Sequence, residues 1–266
     1  MYVNKMFEGE ILRYDNHIHT KFSSDSEMRV EDALKRAEEL NLSLTFTEHL
    51  DLGMPNKDDS IFDAKAYFNE YEKYRGKHLS LGIEVGMTSK CIEDNFNFVK
   101  SAPFDLIIGS IHILHGVDLY PPDIYSTRDK KELYSDYLMS MAHKIYHYQF
   151  IHILGHIDYI CRYATYEDSS LLYKDFSDEI DEVLRALVVA DTVIELNTRR
   201  LNKEVAEELL PIYKRYRELG GRYASIGSDA HNEATIGNNY KIAEDLLEVA
   251  KLTPVTFYEG KMEISA

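Results

Sequence analysis

The chain has 266 residues, 44% of them apolar and 29% charged, with a formal charge of −16. This composition excludes extended disorder, and the absence of any block of five or more Lys/Arg argues against a nucleic-acid partner. Only Cys91 and Cys161 are present, without CxxC spacing, which excludes a disulfide framework and a thiolate metal site.

Met1 to Glu10 lacks the apolar stretch of a signal peptide, and no apolar run approaches the ~18 residues of a membrane span, so a cytoplasmic location and no membrane partner are expected. Short β-rich apolar runs then alternate with longer stretches of helical period. The predicted strands are 14–19, 43–49, 79–85, 105–112, 152–158, 192–198 and 223–229. Between and after them lie predicted helices near 30–40, 64–74, 92–100, 130–148, 176–190, 204–219 and 240–251; Val30, Ala33, Leu34, Ala37 and Leu40, for example, fall on one face. The tail, 254–265, carries Glu259-Gly260 between two β-prone runs and predicts a hairpin. Seven strand-helix units without a Pro/Gly/Ser-rich linker predict a single domain over 1–266. Its class is α/β, a closed or nearly closed TIM-like barrel, with an open doubly wound sheet as the alternative.

The chemistry-bearing residues collect at one end of those strands. His17 and His19, His49, Glu84, His112, His156, and Asp229 with His231 each stand at or just past a predicted C-terminal strand end. In a barrel that end is where active sites are built, and residues two apart on a strand share a face. Six of the eleven histidines at one end, mixed with carboxylates, exceed what packing explains, because buried imidazoles and carboxylates are costly unless paired or metal-bound. The mixture of imidazole and anionic oxygen suits Zn, Mn or Fe over Mg or Ca. Asp25, six residues beyond His19, reads as a turn or helix-capping residue that a ligand role would also fit. His143 and His147 read as a helix face, and His78 and His152 fall at strand beginnings.

The HxHT opening at His17, Thr47-Glu48-His49, Gly82-Ile83-Glu84, Gly109-Ser110-Ile111-His112, Gly155-His156-Ile157-Asp158 and Gly227-Ser228-Asp229-Ala230-His231 together resemble the PHP (polymerase and histidinol phosphatase) family, in order from about residue 13 to 235. The resemblance is strongest to its monofunctional phosphatase branch. It implies a distorted (βα)7 barrel and a centre of three divalent metal ions. His17, His19, Glu84 and Asp229 would hold one ion, Glu84 would bridge to a second held by His112 and His156, and Asp25, His49 and His231 would hold the third. Some family members have His where Asp25 stands. The implied activity is hydrolysis of L-histidinol phosphate to L-histidinol and phosphate, in histidine biosynthesis, by metal-activated hydroxide.

A phosphate monoester also needs cationic donors. Arg162 follows the His156 strand, while Arg199 and Arg200 follow the strand ending at Thr198, which makes them candidate substrate-binding residues, with Arg162 and Arg199 as a phosphate clamp. Asp158, two residues from His156, and His115, just beyond His112, are the candidates for protonating the leaving group or holding the substrate. The alternatives are a broader phosphoesterase of the same family acting on nucleotides or nucleic-acid ends, and a catalytically silent metal-binding interaction module. Oligomeric state is not encoded in any pattern found.

Overall fold

The computed structural model describes residues 12–55 and 60–265; the expected absence of a signal peptide concerns residues outside that range. In chain order the elements are β1 (Tyr14–Ile18), α1 (Val30–Leu40), β2 (Ser43–Leu50), α2 (Ala64–Tyr71), β3 (Leu79–Gly86), α3 (Ile92–Lys100) and β4 (Ile107–Ser110). There follow β5 (Ile113–Leu114), β6 (Val117–Asp118), α4 (Asp123–Thr127), α5 (Lys130–His147), β7 (Ile153–Leu154), α6 (Ile160–Tyr163) and α7 (Ser177–Ala190). The chain ends with β8 (Val193–Asn197), α8 (Lys203–Glu218), β9 (Tyr223–Gly227), α9 (Tyr240–Ala250), β10 (Thr253–Tyr258) and β11 (Lys261–Ile264).

One sheet organises the molecule, in the order β1-β2-β3-β4-β7-β8-β9-β10-β11, parallel except for the last pair. The strands β1, β3 and β8 are buried along their whole length, as parallel strands covered on both faces must be, whereas the terminal β11 is exposed. Helices supply the cover by their apolar faces: Val30, Ala33 and Ala37 from α1, Tyr67 and Tyr71 from α2, Leu184 and Leu187 from α7, and Ala243 and Leu247 from α9 are all buried. Helix starts are fixed by side chains accepting the orphaned N–H groups, Asp63 from Ala66, Asp129 from Lys131 and Glu132, and Asn202 from Val205.

Beyond β9, Ala230 forms a parallel bridge with Ile18, in which His19 N–H donates to the Ala230 carbonyl at 2.8 Å. The first strand and the segment after β9 therefore meet at the level of His17–His19 and Asp229–His231. At the opposite end of the strands, β10 and β11 form the expected hairpin. Glu259 and Gly260 both take positive φ at its turn, and their N–H groups donate to the Asp105 side chain and carbonyl. The Thr256 hydroxyl donates to Asn16 and the Asn16 amide to the Val255 carbonyl, tying this hairpin to β1.

Two expectations shift. The predicted strand 152–158 keeps only Ile153–Leu154 in the ladder, because the chain leaves it after Gly155 and turns, with Tyr159 N–H donating to the His156 carbonyl. Between β4 and α5 the sequence reading contained no strand, yet β5 and β6 make a small hairpin whose turn, His115-Gly116, has φ of 50° and 84°. No helix among the described residues is long and apolar enough to cross a membrane.

Candidate metal centre

Strand ends carry the donor atoms to one place. His17 and His19 point from the end of β1, His49 from β2, Glu84 from β3, His112 from just past β4, His156 from just past β7, and Asp229 and His231 from the segment after β9. Glu84 lies at the middle. Its Oε2 is 3.3 Å from His17 Nε2, 3.5 Å from His19 Nε2 and 2.9 Å from His49 Nδ1, while its Oε1 is 3.4 Å from His112 Nε2 and 2.9 Å from His156 Nε2. Asp229 Oδ1 stands 3.4 Å from His19 Nε2 and 4.0 Å from His17 Nε2. Asp25 Oδ2 stands 3.0 Å from His231 Nε2 and 3.5 Å from His49 Nε2.

These atoms fit cations better than they fit one another. His17 Nε2, His19 Nε2, His49 Nδ1, Glu84 Oε2 and His156 Nδ1 are buried without a hydrogen-bond partner, a costly arrangement for polar atoms in a protein interior. Ligands at about 2.0–2.2 Å from a tetrahedral cation lie about 3.4 Å apart, which is the spacing found around Glu84 Oε2 and Asp229 Oδ1. Imidazole rings also crowd together with little apolar surface between them: His19 is 4.1 Å from His49 and 4.3 Å from His231 by ring centroids. The groups His17/His19/Asp229, His17/Glu84/His156, His19/His49/His231 and His49/Asp51/His112 each bring three donor atoms within 4.8 Å of one another.

Charge within the site is divided. Burial opposes ionising Glu84, but the surrounding His17, His112 and His49 imidazoles outweigh it and hold the carboxyl well below its usual range. Asp229 is held low in the same way, against burial, by Arg162 first and then His17. Burial and the neighbouring His49 push His19 well below the ordinary imidazole value, so His19 is a neutral donor.

A surrounding set of residues, absent from the sequence reading, aims these ligands. His17 Nδ1 is 2.6 Å from Glu195 Oε1, and His112 Nδ1 is 2.8 Å from Asp51 Oδ1. His19 Nδ1 is 3.1 Å from the Ser23 hydroxyl, which donates to Glu48 Oε2 at 2.7 Å. A carboxylate beside Nδ1 accepts its proton and leaves the Nε2 lone pair facing inward. The signal was present in part: Glu195 is a lone acidic residue in an otherwise apolar strand, Val193-Ile194-Glu195-Leu196. Gly227 permits this contact, since a Cβ there would collide with both Glu195 Oε1 and the His17 side chain.

Above the cluster opens a cavity of about 450 Å³, lined by Asp25, His49, Glu84, His112, His156, Asp229 and His231, with Asp51, Asp118, Tyr120, Tyr159 and Tyr163 on its walls. Arg162 and Arg199 line it too. Arg162 Nη2 is 2.7 Å from Asp229 Oδ2, and its buried Nε has no acceptor. Arg199 Nη1 donates to Asp229 Oδ1 at 3.3 Å and lies 3.2 Å from His231 Nδ1.

The remaining candidates are not brought into this cavity. Asp158 is buried against Arg200, to which it is ion-paired, and neither residue is in the lining. His115 is turned outward by its positive φ. Its side chain is 64% exposed and its Nε2 is 2.8 Å from Asp136, so it faces a surface acid and not the cluster.

A "Probable histidinol-phosphatase" of Clostridium acetobutylicum is 47% identical over 251 residues, spanning 94% of this chain and 98% of that protein. A "Histidinol-phosphatase" of Lactococcus lactis is 28% identical over 230 residues, spanning 82% of this chain and 84% of that protein. The crystal structure of histidinol phosphate phosphatase from Lactococcus lactis, complexed with zinc, L-histidinol and phosphate, superposes with a TM-score of 0.87 at 26% identity over 96% of this chain and 100% of that one. The model of the PHP domain matches residues 15–199, where all of the strand-end motifs but the last are found, and the chain belongs to that family.

Proposed function

We propose that this chain is a metal-dependent phosphomonoesterase that hydrolyses L-histidinol phosphate to L-histidinol and phosphate. The observation that carries the reading is the convergence of unpartnered ligand atoms around Glu84 and Asp229 beneath a cavity walled by two arginines. The whole-length likeness to proteins named for this reaction supports the choice of substrate.

The ligand sets are those the family resemblance implies, and the short distances among the donors support them. His17, His19, Glu84 and Asp229 would hold one cation, Glu84 with His112 and His156 a second, and Asp25 with His49 and His231 a third; Zn, Mn and Fe match these donors. Bound there, the cations supply activated water and neutralise the phosphoryl oxygens. Arg162 and Arg199 hold and orient the phosphate: Arg162, fixed on Asp229, has a spare Nε–H to offer. Glu195 and Asp51 keep His17 and His112 in their donor orientation. A single domain built as a distorted barrel of seven strand-helix units fits this reading, and the Ile18–Ala230 bridge, which brings the first and last ligand segments together, supports it.

The test is phosphate release from purified protein, loaded in turn with Zn, Mn and Fe, on a panel of L-histidinol phosphate, nucleoside monophosphates and phosphodiesters. A kcat/KM for L-histidinol phosphate at least about 10²-fold above every other member is expected. Comparable values across the panel would replace this substrate with a broad phosphoesterase reading, and no turnover with any metal would leave a silent module.

A further inference from the structure

A second group of imidazoles lies away from the cluster. His143 and His147 stand one turn apart on α5, and both are exposed. The helix face that the sequence predicts brings their rings together: the centroids are 4.6 Å apart and the two Nε2 atoms 3.3 Å apart. The pair occupies the last turns of a helix that leads to the start of β7, whereas His156 and the other cluster ligands stand at or past the opposite ends of the strands. Neither histidine belongs to the donor groups of the cluster.

Two neutral imidazoles with facing Nε2 atoms can share only a single hydrogen, whereas a cation accepts both lone pairs at once. Donors about 2.0–2.1 Å from a tetrahedral cation lie about 3.4 Å apart, and the spacing of these two Nε2 atoms matches that. The surroundings favour positive charge. His147 stands in the last turn of an 18-residue helix, at the negative end of its dipole, and the chain carries a formal charge of −16. Beside His147 opens a cavity of about 660 Å³ whose wall includes Glu93 and Gln149, oxygen donors that with water are available to complete a coordination shell.

From this pairing we infer that His143 and His147 form a peripheral chelating site for a transition-metal cation, zinc, nickel or copper(II), separate from the ions of the cluster. Imidazole suits these three, with copper(II) the tightest in the general order of affinities. Magnesium and calcium, which take nearly all-oxygen shells, match it poorly. With only two imidazoles fixed on an exposed helix face, the site holds its ion more weakly than the buried cluster does and exchanges it with solvent. It takes no part in hydrolysis.

The experiment dialyses protein whose cluster is already saturated against graded free zinc and measures bound metal per chain by elemental analysis. Wild type, His143→Gln, His147→Gln and, as a control for a single exposed imidazole, His115→Gln are compared. All three side chains are exposed, and Gln is a good helix former at 143 and 147, so folding is not at risk. Wild type and His115→Gln should take up a further equivalent of zinc beyond the cluster. Each helix variant should bind it at least about tenfold more weakly, because the second donor no longer acts at high effective concentration. Phosphate release at low free zinc should be the same in all four proteins. Superimposable titrations, or a weakening in only one of the two helix variants, overturn the chelate, and loss of turnover in either helix variant overturns its separation from the catalytic machinery. The readout is metal bound outside the cluster, so its failure is distinguishable from failure of the phosphatase reading.

Discussion

Glu195 reaches across from β8 to place its Oε1 2.6 Å from His17 Nδ1, while its Oε2 accepts the His156 backbone N–H at 2.6 Å. One buried carboxylate thus aims a ligand on β1 and anchors the backbone of another after β7. Replacing it with Gln keeps the size but lets the side-chain amide present a donor to either contact. Glu195→Gln is expected to weaken metal retention by about 10–100-fold, the usual consequence of losing a partner behind a ligating histidine. Metal content after dialysis against graded chelator measures this, and retention equal to wild type would remove the aiming role.

Arg162 and Arg199 carry the phosphate assignment. Arg162→Ala is expected to lower kcat/KM by about 10²–10³, and Arg162→Lys, which keeps the charge but loses the planar fork, by at least about tenfold. Arg199, 39% exposed in its side chain, should matter less, about tenfold on substitution by Ala. Steady-state kinetics at confirmed metal content separate these effects from metal loss. Unchanged kcat/KM in both Ala variants would dismantle the clamp.

Asp158 and Arg200 illustrate where the sequence stops being legible. Strand-end position located the ligand residues because a parallel strand projects alternate side chains to one side, and His17, His19, His49 and Glu84 obey that geometry. Asp158, by contrast, lies past the point where β7 has ended after Leu154, so counting two residues from His156 no longer specifies its direction. His115 failed for the same reason: a hairpin turn with positive φ, invisible to hydrophobic periodicity, rotates it outward. Asp51 and Glu195 needed contacts across the sheet, which no single segment encodes. Asp158→Asn is therefore expected to leave KM within about threefold of wild type while costing about 1–3 kcal/mol of stability, as an uncompensated Arg200 is left half-buried. Urea unfolding alongside kinetics decides it; a large rise in KM with stability intact would return Asp158 to the substrate.

Removing the cations should destabilise the fold as well as stop turnover. Without them, His17, His19 and Glu84 leave buried polar atoms unpartnered near the junction where β1 meets the segment after β9. A ligand present at 100 times its Kd stabilises by about 2.7 kcal/mol, and each kcal/mol moves the midpoint of a chain this size by about 2–4 °C. Chelator-treated protein should melt at least about 5 °C below metal-loaded protein and recover on adding Zn. A midpoint insensitive to chelator, at verified metal loss, would mean that the ligands are held by protein contacts alone.

His152 gives a pH dependence that originates at the other end of the sheet. Its Nδ1 accepts the Ile107 backbone N–H at 3.1 Å, and its ring stacks on Phe257 with centroids 4.8 Å apart. Burial, then the charge of Lys100, pushes its pKa down to about 4 from 6.5. The depressed value means the folded state resists a proton that the unfolded chain accepts, so this contribution is complete above about pH 6.5 and is lost as pH falls toward 4. Between pH 7.5 and 5 the loss is about 2 kcal/mol. His152→Gln, whose side-chain oxygen can still accept from Ile107, lacks this proton uptake. With the same free zinc in both samples, the stability gap between wild type and His152→Gln should shift by about 2 kcal/mol toward the variant between those two pH values. Urea midpoints at each pH measure the gap, and a gap of the same size at both would assign the acid sensitivity to other groups.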